Sequence, residues 1–276
     1  MMIDTHCHLD LTDYPDIDQV ISKMKDNIII VSGVNRESIN EVIDLCNKYN
    51  NVYGTIGFHP EYAEDITNDD LIWLEQKLQH KKIIGIGEIG LDYHYENINK
   101  EKQKELFIEQ IKLGNKYNKT IVIHSRDAIE DTYEILKTEK ESQIKAVLHC
   151  YSSSVEMAYK FIPLNVMFGI GGVVTFKNGQ KLKKVVENID LKYLLLETDS
   201  PYLTPEPFRG KRNEPENIKY VANEIANLKQ IKVEEVFKKT TENALSQFDL
   251  KLDFWYNIFV RLDEVIYEYI LAKISG

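Results

Sequence analysis

The sequence lacks any long uninterrupted run of apolar residues. The first short run, Met1 to Ile3, ends at Asp4, and no later run approaches the roughly 20 residues that a membrane-spanning helix needs. No basic segment followed by an apolar one opens the sequence, so we expect no signal peptide. The resulting prediction is a cytoplasmic protein without membrane contact.

Cysteine is also scarce, with three residues at positions 7, 46 and 150. Their number is odd, and their spacing matches neither a disulfide framework nor a zinc motif. We therefore expect a reducing compartment and no disulfides. Cys7 and Cys150 each adjoin a histidine, but strand alternation turns them away from it, so both are predicted to be buried small apolar side chains and not nucleophiles.

Basic residues are outnumbered, since 34 lysines and arginines stand against 44 aspartates and glutamates, for a formal net charge of −10. That balance argues against a broad electrostatic footprint for nucleic acid. An anionic substrate would have to be held locally, by metal ions or by a few basic side chains.

What the sequence does contain is a regular alternation of strand-like and helix-like segments. Eight short apolar or β-branched runs occur at 2–4, 28–32, 52–57, 83–87, 121–123, 146–148, 166–170 and 194–197. Segments of helical period lie between them, at 18–25, 37–49, 69–78, 100–117, 128–137 and 180–187. This order indicates an α/β protein with a parallel sheet buried on both faces.

The fold prediction is a single (β/α)8 TIM barrel over residues 1–248. The 276 residues suffice for one such barrel, which takes about 250, and no glycine-rich dinucleotide-binding turn follows the first strand, as it would in an open doubly wound sheet. Residues 249–276 predict a C-terminal amphipathic helix. It would pack on the outside of the barrel or form a dimer contact, so we expect a monomer or a weak homodimer.

Histidines cluster at the predicted carboxyl ends of the strands. Six of the seven lie at or just beyond such an end, and two carboxylates lie in equivalent places: His6, His8, His59, His94, His124, His149, Glu88 and Asp199. The carboxyl ends of all barrel strands meet on one face, where the active sites of this fold are built. Residues far apart in the sequence are therefore predicted to converge.

Four of these histidines and both carboxylates form a predicted binuclear metal site. Six ligands are too many for one tetrahedral zinc ion with an open position, but they suit two divalent ions that share a carboxylate. The ligands assigned to the first ion are His6, His8, Glu88 and Asp199. Those assigned to the second are Glu88, His124 and His149, which makes Glu88 the bridge. These ligand types allow magnesium, manganese or zinc.

Several sequence blocks at these positions resemble the TatD family of metal-dependent deoxyribonucleases, within the amidohydrolase-like barrel superfamily. They are residues 4–9 (DTHCHL), 57–60 (GFHP), 87–93 (GEIGLDY), 124–128 (HSRDA), 149–152 (HCYS), 197–203 (ETDSPYL) and 209–215 (RGKRNEP). The blocks follow the family's order throughout the predicted barrel. Tyr151 and Ser153 stand where the family usually has Phe and Gly.

The resemblance implies a nuclease that hydrolyses phosphodiester bonds, typically a 3′ to 5′ exonuclease on ends of single-stranded DNA, with RNA as a further substrate class. Asp199 would bind metal and also take the proton of the attacking water. His59 would orient the phosphate or protonate the leaving oxygen, with a packed structural histidine as the alternative. Glu197 would contact the metal ligands and help to orient them without binding an ion itself.

Substrate binding is predicted for basic and aromatic residues near the strand ends. Arg126, Arg209, Lys211 and Arg212 would hold phosphates, because the loops after the last strands of such barrels commonly form a phosphate site. Bases would stack on Tyr93, Tyr151 or Phe176. The alternatives are a solvated loop for residues 209–212 and core or rim packing for the aromatic rings.

Two other function classes compete with the nuclease. A hydrolase of the same barrel superfamily could act on ester or C–N bonds as an esterase, lactonase, amidase or D-aminoacyl-tRNA deacylase. A glutamate at the end of the fourth strand, in place of a lysine that could be carboxylated, favours the nuclease. A non-catalytic binding scaffold is disfavoured because all six ligands are present.

Overall fold

The computed structural model describes residues 1–251 as an eight-stranded barrel of parallel strands. In sequence and spatial order the strands are β1 (Ile3–Cys7), β2 (Ile28–Gly33), β3 (Val52–Ile56), β4 (Ile83–Asp92), β5 (Thr120–Arg126), β6 (Ala146–Leu148), β7 (Val166–Ile170) and β8 (Leu194–Leu196). The ring closes where the N–H of Asp199 donates to the carbonyl of His6 (3.0 Å) and the N–H of His8 donates to the carbonyl of Ser200 (2.7 Å). The predicted (β/α)8 fold is confirmed.

Helices cover the outside of this ring. They are α1 (Ile17–Ser22), α2 (Arg36–Lys48), α3 (Asn68–Lys77), α4 (Lys100–Tyr117), α5 (Ile129–Glu139), α6 (Val155–Phe161), α7 (Gln180–Asn188), α8 (Ile218–Lys229) and α9 (Val233–Gln247). The helical segments expected from the sequence are all present, with ends shifted by a few residues. The predicted helix over 249–276 lies almost wholly outside the described residues.

The amino-terminal end of the barrel is filled and closed. Apolar side chains from several strands form a buried cluster inside the ring together with Ala244 and Phe248 at the end of α9; the strand residues are Ile3, Ile28, Ile30, Val122, Val147 and Leu195. The amide of Gln247 donates to the carbonyl of Ala146 (2.8 Å), and the hydroxyl of Thr120 donates to the carbonyl of Gln247 (2.6 Å). Within residues 1–251, the carboxyl end is therefore the end of the barrel that remains open for a site.

Three strands extend further than their apolar runs predict. β1, β4 and β5 continue through polar residues, so His6, Glu88 and His124 lie within strands and not beyond them. The sequence prediction ended these three strands before His6, Glu88 and His124, because burial of a polar side chain at a strand end cannot be read from local apolarity. Among the helices of residues 1–251, none is both long and apolar enough to cross a membrane.

Candidate metal centre

Six strands bring histidine and acidic side chains into one cluster at the carboxyl end of the barrel. The contributions are His6 and His8 from β1 and its end, His59 after β3, Glu88 and Asp92 from β4, His124 from β5, His149 after β6 and Asp199 after β8. The predicted convergence therefore occurs for five of the six histidines. His94 stays on an exposed loop, where its Nδ1 faces the Asp127 carboxylate at 3.3 Å.

Irregular strand pairing accompanies two of these ligands. The register of β1 against β2 shifts between Asp4 and Cys7, and that of β4 against β5 shifts between Ile86 and Ile89. Such irregularities re-aim side chains and occur often beside active sites. His6 lies in the first shifted segment and Glu88 in the second.

Glu88 lies at the centre of the cluster, with its side chain only 4% exposed. Its Oε2 is 3.3 Å from His6 Nε2 and 3.4 Å from His8 Nε2. Its Oε1 is 2.8 Å from His124 Nδ1 and 2.7 Å from His149 Nε2. Each oxygen thus faces its own pair of histidines, which is the geometry that a carboxylate shared by two ions requires.

Asp199 lies on the side of the first histidine pair. Its Oδ1 is 3.5 Å from His8 Nε2 and 3.8 Å from His6 Nε2. The residue has φ of 54°, a left-handed conformation at the point where the chain turns away from β8. Asp199 thus lies beside His6 and His8, with which it was assigned to one ion, and it also forms a candidate ligand group with His6 and His149.

The outer nitrogens of three histidine rings are held by polar partners. Ser32 on β2 supports two of them, because its carbonyl oxygen is 3.2 Å from His8 Nδ1 and its hydroxyl is 3.1 Å from His6 Nδ1. Asp92 Oδ2 is 3.1 Å from His124 Nε2. Each contact leaves the other ring nitrogen facing Glu88, as is usual for histidines that bind metal.

The donor atoms of the cluster fit divalent ions. Within the described residues, four groups of three side chains place their ligand atoms within 4.8 Å of one another. Two of these groups lie within the predicted ligand sets: His6 with His8 and Glu88, and Glu88 with His124 and His149. All the donors are imidazole nitrogens and carboxylate oxygens, a set that zinc, manganese or magnesium accepts.

The carboxylates of the cluster favour positive charge on His8 and His124, whereas burial lowers the pKa of His6 to about 4. Burial would raise the pKa of Glu88, but the surrounding histidines hold that pKa well below its usual value. Burial would also lower the pKa of His8 and of His124. Hydrogen bonds to Asp199 and Glu88 instead raise the pKa of His8 to about 10, and bonds to Asp92 and Glu88 raise that of His124 to about 9. Divalent ions would supply the same positive charge that these protons supply.

Two acidic residues of the site were not predicted to take part in it. Asp92 holds the His124 ring, as described above. Asp4 is fully buried and accepts hydrogen bonds from the N–H of Thr198 (3.0 Å) and from its hydroxyl (2.6 Å), which joins β1 to the segment after β8. Strand alternation could have indicated Asp92, since Glu88 and Asp92 share a face if β4 is read as continuing.

Glu197 and the cysteines lie behind the site. Glu197 is fully buried, one of its oxygens accepts a hydrogen bond from the N–H of Cys150, and burial raises its pKa well above the usual value. Cys7 is buried in the apolar core, as predicted. Cys150 is partly exposed as a residue, but burial raises the pKa of its thiol well above the usual value, which agrees with the prediction that it is not a nucleophile.

Among the predicted substrate-binding residues, Arg126 lies in the cleft above the cluster. This cleft has a volume of about 1000 Å³. Arg209, Arg212 and Tyr93 do not line it. The guanidinium of Arg212 pairs with Asp16 (2.6 Å) and Glu214 (3.0 Å), and a substrate-binding role for these three residues stays a prediction.

The remaining contacts of those residues are with neighbouring side chains. The guanidinium of Arg209 lies 4.1 Å from the ring centroid of Phe176, and the Tyr93 hydroxyl donates to the Asp131 carboxylate at 2.8 Å. Tyr151 and Phe176 are 3% and 6% exposed. Base stacking on these two rings is therefore a wrong prediction, because both are packed into the protein.

The barrel and its donor set define the class of metal-dependent hydrolases. Residues 3–249 match the family model described as TatD related DNase, and the chain belongs to that family. It is 44% identical over 252 residues to the uncharacterized metal-dependent hydrolase YabD of Bacillus subtilis, and the alignment covers 90% of this chain and 99% of YabD. It is 36% identical over 256 residues to the uncharacterized metal-dependent hydrolase YcfH of Escherichia coli K12, covering 90% and 96% of the two chains.

Solved structures agree with this placement. The crystal structure of YJJV, a TatD homolog from Escherichia coli K12, superposes with a TM-score of 0.83 at 29% identity. The superposition covers 91% of this chain and 98% of YJJV. The barrel described here is thus the fold of the family.

Proposed function

We propose that this hydrolase cleaves phosphodiester bonds of nucleic acid with two divalent ions, as a 3′ to 5′ exonuclease on ends of single-stranded DNA. The observation that carries the proposal is Glu88, whose two oxygens face separate histidine pairs at distances between 2.7 and 3.4 Å. Membership in the family of TatD related DNases supports phosphodiesters as the substrate class. The glutamate itself, in place of a lysine that could be carboxylated, favours phosphodiesters over the C–N bonds that other barrels of this kind hydrolyse.

The residues that would hold the ions are those assigned from the sequence. The first ion would be bound by His6, His8, Glu88 and Asp199, and the second by Glu88, His124 and His149. Ions in such a pair supply Lewis-acid stabilisation of phosphate oxygens and lower the pKa of water. Ser32 and Asp92 would hold the histidine rings in place through the contacts described above.

Asp199 is suited to accept the proton of the attacking water. Burial would raise its pKa, but the hydrogen bond with His8 and the nearby histidines lower it. The carboxylate is therefore ionised at neutral pH and has an oxygen at the edge of the cluster. Proton transfer to a positioned carboxylate is a common form of general base catalysis.

His59 is suited to orient the phosphate and not to protonate the leaving oxygen. The N–H of Glu61 donates to His59 Nδ1 at 3.3 Å, so in the neutral ring the proton is on Nε2. Burial lowers the pKa of His59 to about 4, which keeps the ring neutral at pH 7. Its Nε2 is 3.7 Å from Glu88 Oε1, so the N–H group is directed to the centre of the site.

Nucleotide release from single-stranded DNA tests the proposal. We expect the purified protein to release mononucleotides from the 3′ end of a 5′-labelled oligonucleotide, and chelation or Glu88→Gln to abolish release. Glu105→Gln, an equivalent change on the outer surface of α4, should leave it unchanged. Hydrolysis that survives both chelation and Glu88→Gln would contradict the proposal.

A substrate panel separates the nuclease from its alternatives. Bis-p-nitrophenyl phosphate, a lactone, an anilide and a D-aminoacyl-tRNA can be compared under the same metal conditions. Turnover of the phosphodiester and of DNA above the other compounds is expected. Turnover of the aminoacyl ester alone would assign the site to a deacylase.

A further inference from the structure

The two walls of the cleft above the metal centre differ in charge. One wall is formed by the segments after β1 and β3 and by the start of α2, and we call it the acidic wall. It carries six carboxylates outside the metal centre: Asp10, Glu37, Glu41, Glu61, Glu64 and Asp65. The wall is therefore unfavourable for a polyanion.

Like charges lie close together within the acidic wall. Glu37 and Glu41 are one helical turn apart on α2, a spacing at which like charges repel. Partial burial, followed by the charges of Asp10, Glu37 and Asp44, raises the pKa of Glu41. A phosphate placed here would add a further negative charge to this group of carboxylates.

The segments after β4 and β5 form the other wall. Arg126 is the only lysine or arginine among the described residues that line the cleft. Its guanidinium lies 5.9 Å from the ring centroid of Tyr95, a residue that is 62% exposed. An accessible aromatic ring beside a cation suits a nucleotide, because any of the bases can stack on the ring while the cation binds the phosphate.

We infer that the terminal nucleotide of the substrate lies against this second wall, with its base on Tyr95 and its phosphate on Arg126, while the acidic wall prevents the DNA chain from continuing across the cleft. The inference rests on the proposed nuclease function and deepens it. In an eight-stranded ring β5 lies opposite β1, so a strand that crossed the cleft from Arg126 would run into the acidic wall. Charge, and not a steric block, would then confine cleavage to ends.

Replacement of Tyr95 tests the stacking half of the inference. Tyr95→Leu should raise the KM for a short single-stranded DNA about tenfold, in the range of one lost base stack, with little change in kcat. Tyr95→Phe, which keeps the ring, should behave like the wild type. The loss should disappear on an oligonucleotide that is abasic at the terminal position. Equal KM values for the Leu and Phe variants would overturn the stacking assignment.

Removal of charge from the acidic wall tests the other half. The triple variant Glu37→Gln, Glu41→Gln and Glu64→Gln should cleave circular single-stranded DNA at least about threefold faster than the wild type at low salt. The gain should shrink as salt rises from about 0.01 M to about 1 M, because the Debye length falls from about 30 Å to about 3 Å. A matched control, Glu105→Gln with Glu109→Gln and Glu134→Gln, removes three exposed charges from outer helices.

The outcomes separate this inference from the function on which it rests. Suppose that the wild type cleaves linear DNA, but the acidic-wall variant shows no gain on circular DNA or the control variant shows the same gain. Either result would overturn the role of the acidic wall and leave the proposed nuclease function intact. Absence of metal-dependent DNA cleavage by the wild type would remove the proposed function itself.

Discussion

At the scale of single residues, the position of a donor matters as much as its type. Sequence reasoning selected the histidines and both carboxylates of the cluster because they follow apolar runs. It did not select Asp92, since the apolar run of β4 was taken to end before Glu88. In the structure Asp92 Oδ2 contacts His124 Nε2 at 3.1 Å and so decides which nitrogen of that ring faces the centre.

Asp92→Asn should weaken metal binding without unfolding the protein. An amide can still contact His124 but carries no charge, and loss of such an outer partner typically costs about 10- to 100-fold in metal affinity or activity. We expect the second ion to be lost first on titration with a chelator, measured as metal per chain by mass spectrometry.

Asp131→Asn provides the matched control for that experiment. Asp131 pairs with Lys104 (3.0 Å) and Tyr93 (2.8 Å) at the outside of the barrel. The same acid-to-amide change there should leave metal content unaltered. Equal metal loss in both variants would mean that Asp92 has no specific role at His124.

At the scale of elements, the pairing of β4 with β5 requires a glycine. Gly90 pairs with His124 and has φ of 141°. A Cβ atom at this position would lie 2.0 Å from the His124 carbonyl oxygen. The strands can therefore approach closely enough to place Glu88 and His124 together only because residue 90 has no side chain.

Gly90→Ala should destabilise the barrel and its metal site together. Backbone strain and overpacking cost about 1–3 kcal/mol each, so we expect a loss of about 2–6 kcal/mol in the free energy of unfolding. Gly210→Ala is the control, because Gly210 has φ of 86° but no atom within 4 Å of an added Cβ. Denaturant unfolding that gave equal losses for both variants would show that the close approach at Gly90 costs nothing.

At the scale of the whole molecule, the site joins the first and last strands of the barrel. β1 supplies His6 and His8, and the segment after β8 supplies Asp199, whose N–H also closes the ring on the His6 carbonyl. An ion held by these residues would stabilise the folded chain only, because its ligands are separated by almost the whole barrel sequence when the chain is unfolded.

Removal of metal should therefore lower the Tm. A ligand present at about 100 times its Kd stabilises by about 2.7 kcal/mol, which for a chain of this size corresponds to about 5–10 °C. Scanning calorimetry of the protein before and after chelation should show this drop, and addition of zinc or manganese should reverse it. The Glu88→Gln variant should show a much smaller difference, and an equal difference there would place the stabilising ion elsewhere.

Sequence patterns alone were enough to predict the barrel class and the candidate ligands that converge at its carboxyl end. Apolar runs and helical periods are local patterns, so they identify eight strands and their helices without knowledge of contacts. The chemistry of histidine and carboxylate also requires no coordinates, which is why His6, His8, His124, His149, Glu88 and Asp199 could be named in advance.

The arrangement of these residues and their surroundings follow from contacts that form only in the folded chain. The division of the Glu88 oxygens between two histidine pairs depends on register shifts in β1 and β4, and these shifts follow from packing between strands. The pairing of Arg212 with Asp16 and the contrast between the two walls of the cleft are likewise set by contacts across long sequence separations. Local sequence carries no information on such contacts, because each depends on where a distant segment folds.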